Sequence, residues 1–403
     1  MTLAFKEESM KGLKKPRPMS TNTAIATAAR DLDVDVVSAY PITPQTTVVE
    51  KIAEYIANGE LDAEMIHVES EHSALSAAIG SAVTGARSFT ATASQGLALM
   101  HEILHIASGG RVPIVMSVAT RALSGPISIW NDHSDVMNAR DSGWIIAFVS
   151  SAQEAYDTVV QAFKVAEDPD VLLPFMVVYD GYLMSHTMEP VITEDLEKVL
   201  AYAPKRSYPY KLDPEKPLTI GTITDPNWYY EFKYQQVEAM KVALEKFRKA
   251  DKEFGEVFGR NYGLMECIHC DDADAIVVAN TSYATTLKYI IRDVREKGMK
   301  VGLLRLRLYR PFPVEDFLKA VGSVDTVLVV DRAISYGAPV QGPIATEINS
   351  LLHSRGKDTK VISVVAGIGQ RAFKDDDARY MFKLALESRK AVPEETIFYG
   401  VRK

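Results

Sequence analysis

The feature that most constrains the fold is a regular alternation of short apolar runs with amphipathic stretches. The clearest apolar run, residues 171–179, contains almost no polar side chain. A strand that is apolar along its whole length is typical of a parallel sheet covered on both faces. Repeated strands of this kind with helices between them predict an α/β fold. The 403 residues suffice for roughly two or three domains.

The first α/β unit is predicted to occupy residues 21–200, after an N-terminal arm at 1–20 that is basic and contains proline. Its predicted strands are 34–40, 64–68, 88–92, 113–120, 143–149 and 172–179. Its predicted helices are 46–58, 70–84, 95–107 and 152–166. Prolines at 41 and 44 end the first strand, because proline extends neither a ladder nor a helix interior.

A connector is predicted at 201–272, and it contains one long helix at 228–258. Val237, Met240, Leu244 and Phe247 recur at spacings of three and four, so they share one helix face. A second, smaller α/β domain is predicted at 273–403. Its strands are predicted at 275–279, 301–306, 326–330 and 360–365, and its helices at 284–297, 314–320, 343–352 and 376–386.

Composition and charge exclude several classes of function. The chain has 45 basic and 53 acidic residues, a net charge of −8. A nucleic-acid-binding protein usually presents a basic face, so no nucleic-acid partner is expected. No apolar run approaches the roughly 20 residues of a membrane span. The N-terminal residues lack the apolar core of a signal peptide, so the expected compartment is the cytoplasm.

Two cysteines, Cys267 and Cys270, are the only ones in the chain. An iron–sulfur cluster needs about four ligands, so this chain cannot hold one alone. Two unpaired thiols in a connector are the simplest interpretation. Half of a zinc site and a redox pair are the alternatives. No metal site is predicted, and the sequence has neither a G-x-x-x-x-G-K-[ST] phosphate loop nor a G-x-G-x-x-G motif after a strand.

The unusual residues lie where the early predicted strands end, and parallel sheets form their ligand crevices at that edge. Thr43 follows the first strand, Glu71 the second and Arg121 the fourth. A hydroxyl, a carboxylate and a guanidinium are therefore expected on one edge. Glu71 also has a purely structural interpretation, because a carboxylate in the first helical turn complements the helix dipole by about 0.3–1 kcal/mol.

These segments together resemble the pyrimidine-binding domain of 2-oxoacid:ferredoxin oxidoreductases, which are thiamine diphosphate enzymes. The match consists of YPITP at 40–44, ESEHSA at 69–74, TATASQGL at 90–97, and Arg121 with SIWNDHSD at 128–135. LRLYRPFP at 306–313 and VVDR at 329–332 extend the resemblance into the second unit, whose type is that of the transketolase C-terminal domain. The resemblance covers nearly all of residues 21–386. Among these enzymes, the chain resembles the separate alpha subunit of the multi-chain forms. The resemblance is strongest to the alpha subunits of enzymes that use pyruvate.

The resemblance implies a role for each site residue. Glu71 matches the glutamate that bonds the aminopyrimidine nitrogen of the cofactor, with Tyr40 and Pro41 beside that ring. Thr43 and Arg121 match positions that hold the substrate carbonyl and carboxylate. Ile129 is expected to line the pocket for the substrate tail. The uncharged loop at 41–43 favours a monocarboxylic 2-oxoacid, because the oxalate-using relatives place an extra arginine there.

The resemblance also implies partners. Thiamine enzymes hold the diphosphate through a divalent metal and a Gly-Asp-Gly motif, and this sequence has no such motif. Thiamine diphosphate is therefore expected to be shared with a diphosphate-binding beta chain, with Mg²⁺ and [4Fe-4S] clusters in partner chains. A gamma chain, a ferredoxin-like chain, ferredoxin and coenzyme A complete the expected partners. The predicted reaction is oxidative decarboxylation of a 2-oxoacid, pyruvate being favoured, to acyl-CoA and CO2.

Three other hypotheses remain open. One is a related enzyme for a branched-chain or aromatic 2-oxoacid. Another is a different thiamine enzyme, such as a transketolase-like or decarboxylase chain, which the loop motifs favour less. The third is a non-catalytic scaffold that keeps the fold and only binds a partner. A scaffold has no need to retain Thr43, Glu71 and Arg121 together.

Overall fold

The alternating pattern folds into two sheets flanked by helices. The computed structural model describes residues 15–206, 208, 210–322 and 324–402. The strands are β1 Arg17–Met19, β2 Val36–Ser38, β3 Glu64–Ile66, β4 Ser88–Thr92, β5 Ile114–Thr120, β6 Ile145–Phe148, β7 Phe175–Asp180, β8 Glu189–Val191, β9 Met265–Ile268, β10 Ala275–Ala279, β11 Val301–Leu306, β12 Leu308–Arg310, β13 Thr326–Asp331, β14 Lys360–Ala366 and β15 Ile397–Tyr399.

The helices alternate with these strands. They are α1 Thr21–Asp31, α2 Thr46–Ala57, α3 Glu71–Ala82, α4 Ser94–Leu99, α5 His101–Gly109, α6 Ser134–Ala139, α7 Ala152–Ala166, α8 Leu183–His186, α9 Leu196–Tyr202, α10 Tyr229–Phe258, α11 Thr281–Glu296, α12 Val314–Val321, α13 Pro343–Ser354 and α14 Asp375–Glu387. No helix in the described part of the chain combines the length and apolar character that crossing a membrane requires.

The first sheet has seven strands in the order β12-β6-β7-β5-β4-β2-β3. Six of them run parallel, and β12 pairs antiparallel with β6. The second sheet has the order β15-β14-β13-β10-β11-β9, with β9 antiparallel to β11. Every residue of β4, β5, β6, β7 and β10 is buried, as strands covered on both faces should be. The predicted α/β class with parallel sheets is confirmed.

The two sheets share a core. One buried apolar cluster includes Leu75 and Met116 from the first unit together with Val278 and Phe317 from the second. Strand β12 comes from the second half of the sequence, yet it closes the edge of the first sheet beside β6. The sequence pattern did not predict this strand, because three residues carry no usable period.

Several elements differ from the sequence-based expectation. Residues 17–19, predicted as part of a ragged arm, form β1 and pair with β8; most of the arm lies outside the described residues. Helix α1 was not predicted. The predicted helix at 95–107 is two helices that meet at Met100. Of the residues predicted to share one face of the long helix, Phe247 is buried but Val237 is 49% exposed, and Phe247 packs on the core together with alanines of α10 and Phe254.

The expectation of two unpaired thiols in a connector is wrong. Cys267 and Cys270 form a disulfide, and Cys267 lies on strand β9.

Candidate active site

The carboxyl ends of the parallel strands in the first sheet place the predicted residues on one edge. Tyr40 and Thr43 follow β2, Glu71 begins α3 after β3, and Arg121 directly follows β5. Register supports this placement, since Thr120 at the end of β5 pairs with Asp180 at the end of β7. The edge is therefore built from loops that leave adjacent strands, as in other open α/β sheets.

Glu71 is the first residue of α3, and its position is set by a local cap. The Ser70 hydroxyl accepts a hydrogen bond from the Ser73 N–H at 3.2 Å, which fixes where the helix begins. The Glu71 side chain is 7% exposed. None of the described residues forms a hydrogen bond or an ion pair with its carboxylate, and a buried carboxylate without a partner is costly. The site is therefore suited to a ligand that donates a hydrogen bond to Glu71.

Gly96 in α4 makes room for this carboxylate. A Cβ at Gly96 would lie 2.7 Å from Glu71 Oε1 and 2.5 Å from Thr92 Oγ1. Those distances are too short for any side chain. The buried Thr92 hydroxyl likewise has no hydrogen-bond partner among the described residues. Gly96, Thr92 and Glu71 thus form one compact group with unused polar atoms.

Arg121 links two loops of the same edge. Its Nη1 donates to the Thr43 carbonyl oxygen at 2.9 Å, and its Nε donates to the Ser128 carbonyl oxygen at 2.8 Å. Nη2 donates to no residue that the structure describes. The guanidinium is therefore held in place by two bonds and keeps donors available for an anion.

Asp135 in α6 positions the start of α4 relative to Arg121. One carboxylate oxygen accepts from the N–H groups of Ser94, at 2.9 Å, and Arg121, at 3.0 Å. The other accepts from the N–H of Val136. Burial raises the pKa of Asp135 to about 7, although these three N–H groups oppose the rise. A single buried carboxylate thus fixes both the Gly96-containing helix and the arginine.

Two side-chain hydrogen bonds hold the backbone of the loop after β2. Gln45 Nε2 donates to the Tyr40 carbonyl oxygen at 2.9 Å, and Asn22 Nδ2 donates to the Pro44 carbonyl oxygen at 2.8 Å. The Tyr40 side chain is exposed at the rim, and the Thr43 hydroxyl has no partner among the described residues. These bonds fix the loop backbone and leave the Tyr40 and Thr43 side chains exposed.

Ile129 lies in the loop that covers Arg121, and it is 40% exposed. Its neighbour Trp130 contacts the Tyr182 ring at 4.7 Å between centroids. The Trp130 carbonyl oxygen accepts from the Ala122 N–H at 3.0 Å, which ties the loop to the residue after Arg121. Two partly exposed apolar side chains, Ile129 and Trp130, therefore belong to the loop whose backbone anchors the Arg121 guanidinium.

A buried ionic cluster joins this edge to the second sheet. The Asp180 carboxylate accepts from His133 Nε2 at 2.9 Å and from Arg332 Nη1 at 2.6 Å, and Ser282 donates to it as well. Burial alone would raise the pKa of Asp180, but Arg332 and His133 hold it far below its usual range. Burial lowers the pKa of His133, so the neutral ring donates its Nε2 proton. Asp180 is thus a structural carboxylate.

The structure brings the predicted residues together in two groups. Glu71 stands with Thr92 and Gly96, and Arg121 stands with the backbone of Thr43 and the loop of Ile129. Tyr40 and Pro41 are exposed in the loop that follows β2. The sequence reasoning missed the roles of Asp135 and of the Asp180 cluster, although both lie in or beside segments that it had singled out.

Comparison with known families gives two matches along the chain. Residues 27–252 match the family described as pyruvate flavodoxin/ferredoxin oxidoreductase, thiamine diphosphate-binding. Residues 273–378 match pyruvate:ferredoxin oxidoreductase core domain II.

Curated relatives match almost end to end. The chain is 48% identical over 399 residues to pyruvate synthase subunit PorA of Methanocaldococcus jannaschii, covering 98% of this chain and 100% of that protein. It is 42% identical over 390 residues to ketoisovalerate oxidoreductase subunit VorA of Pyrococcus abyssi, covering 96% of this chain and 98% of that protein.

Solved structures share the fold at low identity. A 2-oxoglutarate:ferredoxin oxidoreductase from Magnetococcus marinus, with 2-oxoglutarate, coenzyme A and succinyl-CoA bound, superposes with a TM-score of 0.70 at 18% identity. The match covers 93% of this chain and 66% of that chain. A split-gene transketolase, as an inactive beta4 tetramer, superposes with a TM-score of 0.53 at 10% identity, covering 92% and 99%. The predicted likeness of the fold to transketolase is thereby confirmed.

Proposed function

The chain belongs to the pyruvate flavodoxin/ferredoxin oxidoreductase family, and we propose that it is the pyrimidine-binding subunit of a complex that oxidatively decarboxylates a 2-oxoacid. The electrons pass to ferredoxin and the acyl group to coenzyme A. The observation that carries the proposal is the unpaired, buried carboxylate of Glu71 at the mouth of the crevice. An unpaired buried carboxylate is costly, and a ligand donor opposite Glu71 would offset that cost.

The residues around Glu71 fit the aminopyrimidine ring of thiamine diphosphate. The carboxylate offers an acceptor for a protonated ring nitrogen, and Gly96 lets the Glu71 side chain lie directly against α4. Tyr40 and Pro41 lie in the loop after the neighbouring strand β2 and are assigned to the cofactor side of the site. When bound, the cofactor supplies a carbon nucleophile toward the 2-oxoacid carbonyl and accepts the electron pair left by decarboxylation. Glu71 holds a proton at the ring nitrogen, and burial strengthens that contact.

Arg121, Thr43 and Ile129 form the substrate side of the proposed site. Hydrogen bonds from Nε and Nη1 hold the Arg121 guanidinium. Because this group is planar and rigid, they also fix the direction of Nη2, which can bind a carboxylate. The Thr43 hydroxyl is available for the substrate carbonyl. Ile129 and Trp130 supply an apolar surface for the tail, and the loop at 41–43 brings no second cation. A monocarboxylic acid fits this arrangement.

The remaining parts of the enzyme are assigned to partner chains. Because the sequence has no Gly-Asp-Gly motif, we assign Mg²⁺ and the diphosphate contacts to a beta chain. Two cysteines cannot hold a [4Fe-4S] cluster, so the clusters lie in a ferredoxin-like chain, with a gamma chain completing the complex. Isolated chain should accordingly bind thiamine diphosphate and Mg²⁺ only weakly.

Pyruvate is the favoured substrate, and 2-oxoisovalerate is the second candidate. The pyruvate synthase relative is more similar to this chain, at 48% identity, than the ketoisovalerate relative, at 42%. Measurement of kcat/KM for pyruvate, 2-oxoisovalerate, phenylglyoxylate and 2-oxoglutarate on the native complex separates these candidates. A preference for 2-oxoglutarate would contradict the charge argument at the 41–43 loop.

Replacement of Glu71 by glutamine tests the central assignment. The change keeps the shape and removes the charge, so turnover of the assembled complex should fall by at least ~100-fold. Glu69→Gln is the matched control, because Glu69 precedes the same helix but is exposed and accepts from the Ser73 hydroxyl. Near-normal turnover of a correctly assembled Glu71→Gln complex would contradict the proposal and would favour a scaffold role for this site.

A further inference from the structure

One motif singled out by the sequence has no part in the proposed reaction, namely the run from Cys267 to Cys270. The structure joins these cysteines in a disulfide with 5.9 Å between their Cα atoms. They lie at the end of β9, the edge strand that pairs with β11. We propose that this disulfide is a thiol–disulfide exchange site, reduced by a dithiol protein that attacks the sulfur of Cys267.

The two cysteines differ in exposure, and we infer the order of the exchange from this difference. Cys267 is exposed, whereas Cys270 is 6% exposed and belongs to the apolar core shared by the two sheets. A thiolate must approach the sulfur that it attacks, so exposure decides which cysteine forms the mixed disulfide. Cys267 is the attacked sulfur and Cys270 is the leaving group.

The backbone around the disulfide is shaped for this turn. His269 has a φ of 55°, in the left-handed region, which brings the chain back after β9. Gly302 in β11 lies against the turn, where a Cβ would be 3.0 Å from the His269 carbonyl oxygen and 3.1 Å from Cys270 Cα. The absence of a side chain at Gly302 therefore lets the turn pack closely on the neighbouring strand.

Both oxidation states fit the same surroundings. The Cys270 sulfur lies 3.5 Å from the Leu303 carbonyl oxygen and 3.9 Å from the Ile268 carbonyl oxygen. These distances suit a thiol that donates its proton to a carbonyl, since sulfur is large and a weak donor. Reduction therefore gives Cys270 a hydrogen-bond acceptor without any change in its position.

The exchange balances with a vicinal dithiol as the reductant. Its thiolate attacks the Cys267 sulfur, the Cys267–Cys270 bond breaks, and Cys270 leaves as a thiolate that takes a proton from solvent. The second thiolate of the reductant then attacks the mixed disulfide and releases Cys267 as a thiolate, which is also protonated. Two electrons and two protons reach this chain, and the reductant is left as a disulfide.

The surroundings disfavour a metal site at this turn. Within the part of the chain that the structure describes, no group of three or more histidine, cysteine, aspartate or glutamate side chains is placed to hold an ion.

The turn lies at the amino-terminal end of β11, whereas Ser282 and Arg332 contact the first unit from the carboxyl ends of β10 and β13. Oxidation state is therefore expected to leave 2-oxoacid turnover unchanged.

The test uses the full chain in its complex, purified without oxygen and treated with oxidised glutathione. A thioredoxin whose second active-site cysteine is replaced by serine serves as the probe, and peptide mass analysis maps the captured residue. We expect a mixed disulfide at Cys267 and a two-electron equilibrium with reduced and oxidised dithiothreitol without denaturant. Capture at Cys270, a pair that stays reduced under oxidised glutathione, or zinc that copurifies at this turn would overturn the proposal.

Two variants provide a matched comparison of the sulfurs. Cys270→Ser leaves the exposed Cys267 as a free thiol, and Cys267→Ser leaves the buried Cys270. Native Cys270→Ser chain should react with iodoacetamide at least ~10-fold faster than native Cys267→Ser chain, because reactivity follows exposure and thiolate character. Equal rates would contradict the proposed order of exchange. Unfolded samples of both variants should react alike, which controls for the reagent.

Discussion

Replacement of Asp180 by asparagine tests the ionic contact that joins the two sheets. Asp180 is fully buried, Arg332 is 2% exposed, and their charged atoms lie 2.6 Å apart. The asparagine keeps the shape but leaves the guanidinium buried without a counter-charge. Removal of one partner from a buried ion pair costs about 3–5 kcal/mol, so we expect the free energy of unfolding to fall by that amount.

Urea unfolding of the full chain measures this loss. Circular dichroism and tryptophan fluorescence should report coincident transitions, so that a single free energy is defined. Asp325→Asn is the control, because Asp325 pairs with Arg389 at an exposed site, where the loss should stay below about 1 kcal/mol. A loss in Asp180→Asn no larger than in this control would refute the reasoning.

A double-mutant cycle assigns the loss to the pair itself. Arg332→Met removes the cation, and the double variant of Asp180→Asn with Arg332→Met leaves no uncompensated charge. The double variant should therefore be less destabilised than the sum of the two single variants, with a coupling energy of about 1–3 kcal/mol. Strict additivity would show that the two side chains stabilise the fold independently.

Three further predictions follow from the site and its surroundings. Gly96→Ala places a Cβ 2.7 Å from Glu71 Oε1, so the carboxylate must shift and the Kd of the complex for thiamine diphosphate should rise at least ~10-fold; an unchanged Kd would contradict the proposed contact between Glu71 and the cofactor. Arg121→Lys removes the fork geometry, so KM should rise about 10-fold for every 2-oxoacid in the panel, and a rise for one acid alone would contradict a shared carboxylate contact. His133 and Asp180 both have lowered pKa values in the folded state, so each binds more protons in the unfolded state. The stability of the native chain relative to His133→Gln should therefore fall as the pH drops below about 6.5, and its stability relative to Asp180→Asn should fall below about 4; differences that stay constant with pH would contradict these directions. Comparison with each variant cancels the opposite trend from Asp135, whose raised pKa favours folding as the pH falls.

The central strands could be predicted because their signal is local. Residues 88–92, 275–279 and 301–306 were predicted with the bounds that the structure shows, and every residue of each strand is buried. Glu71 and Arg121 were placed correctly on the crevice edge for a similar reason. A serine cap fixes the start of α3, and the end of a buried strand fixes the residue after β5.

The contacts that hold the site together could not be predicted in this way. Asp135 reaches Ser94 across 41 residues of sequence, and Arg332 reaches Asp180 across 152. Neither pairing leaves a period or a spacing rule in the sequence. The same holds for Cys267 and Cys270: their spacing allows a disulfide, but the turn at His269 and the room above Gly302 depend on how β9 pairs with β11.

Strand β12 makes completion of the first sheet depend on chain that is synthesised much later. Until Leu308–Arg310 arrives, β6 presents unpaired backbone groups at a sheet edge, which is a template for pairing with another molecule. During synthesis, the strands β2 to β7 of the first sheet therefore leave the ribosome before β12, and β6 has no partner on its outer side until β12 follows. A fragment of residues 15–272 would keep every candidate catalytic side chain but would lack β12, so the outer edge of β6 would stay exposed. Aggregation through this edge, and not loss of the site residues, should therefore limit such a fragment.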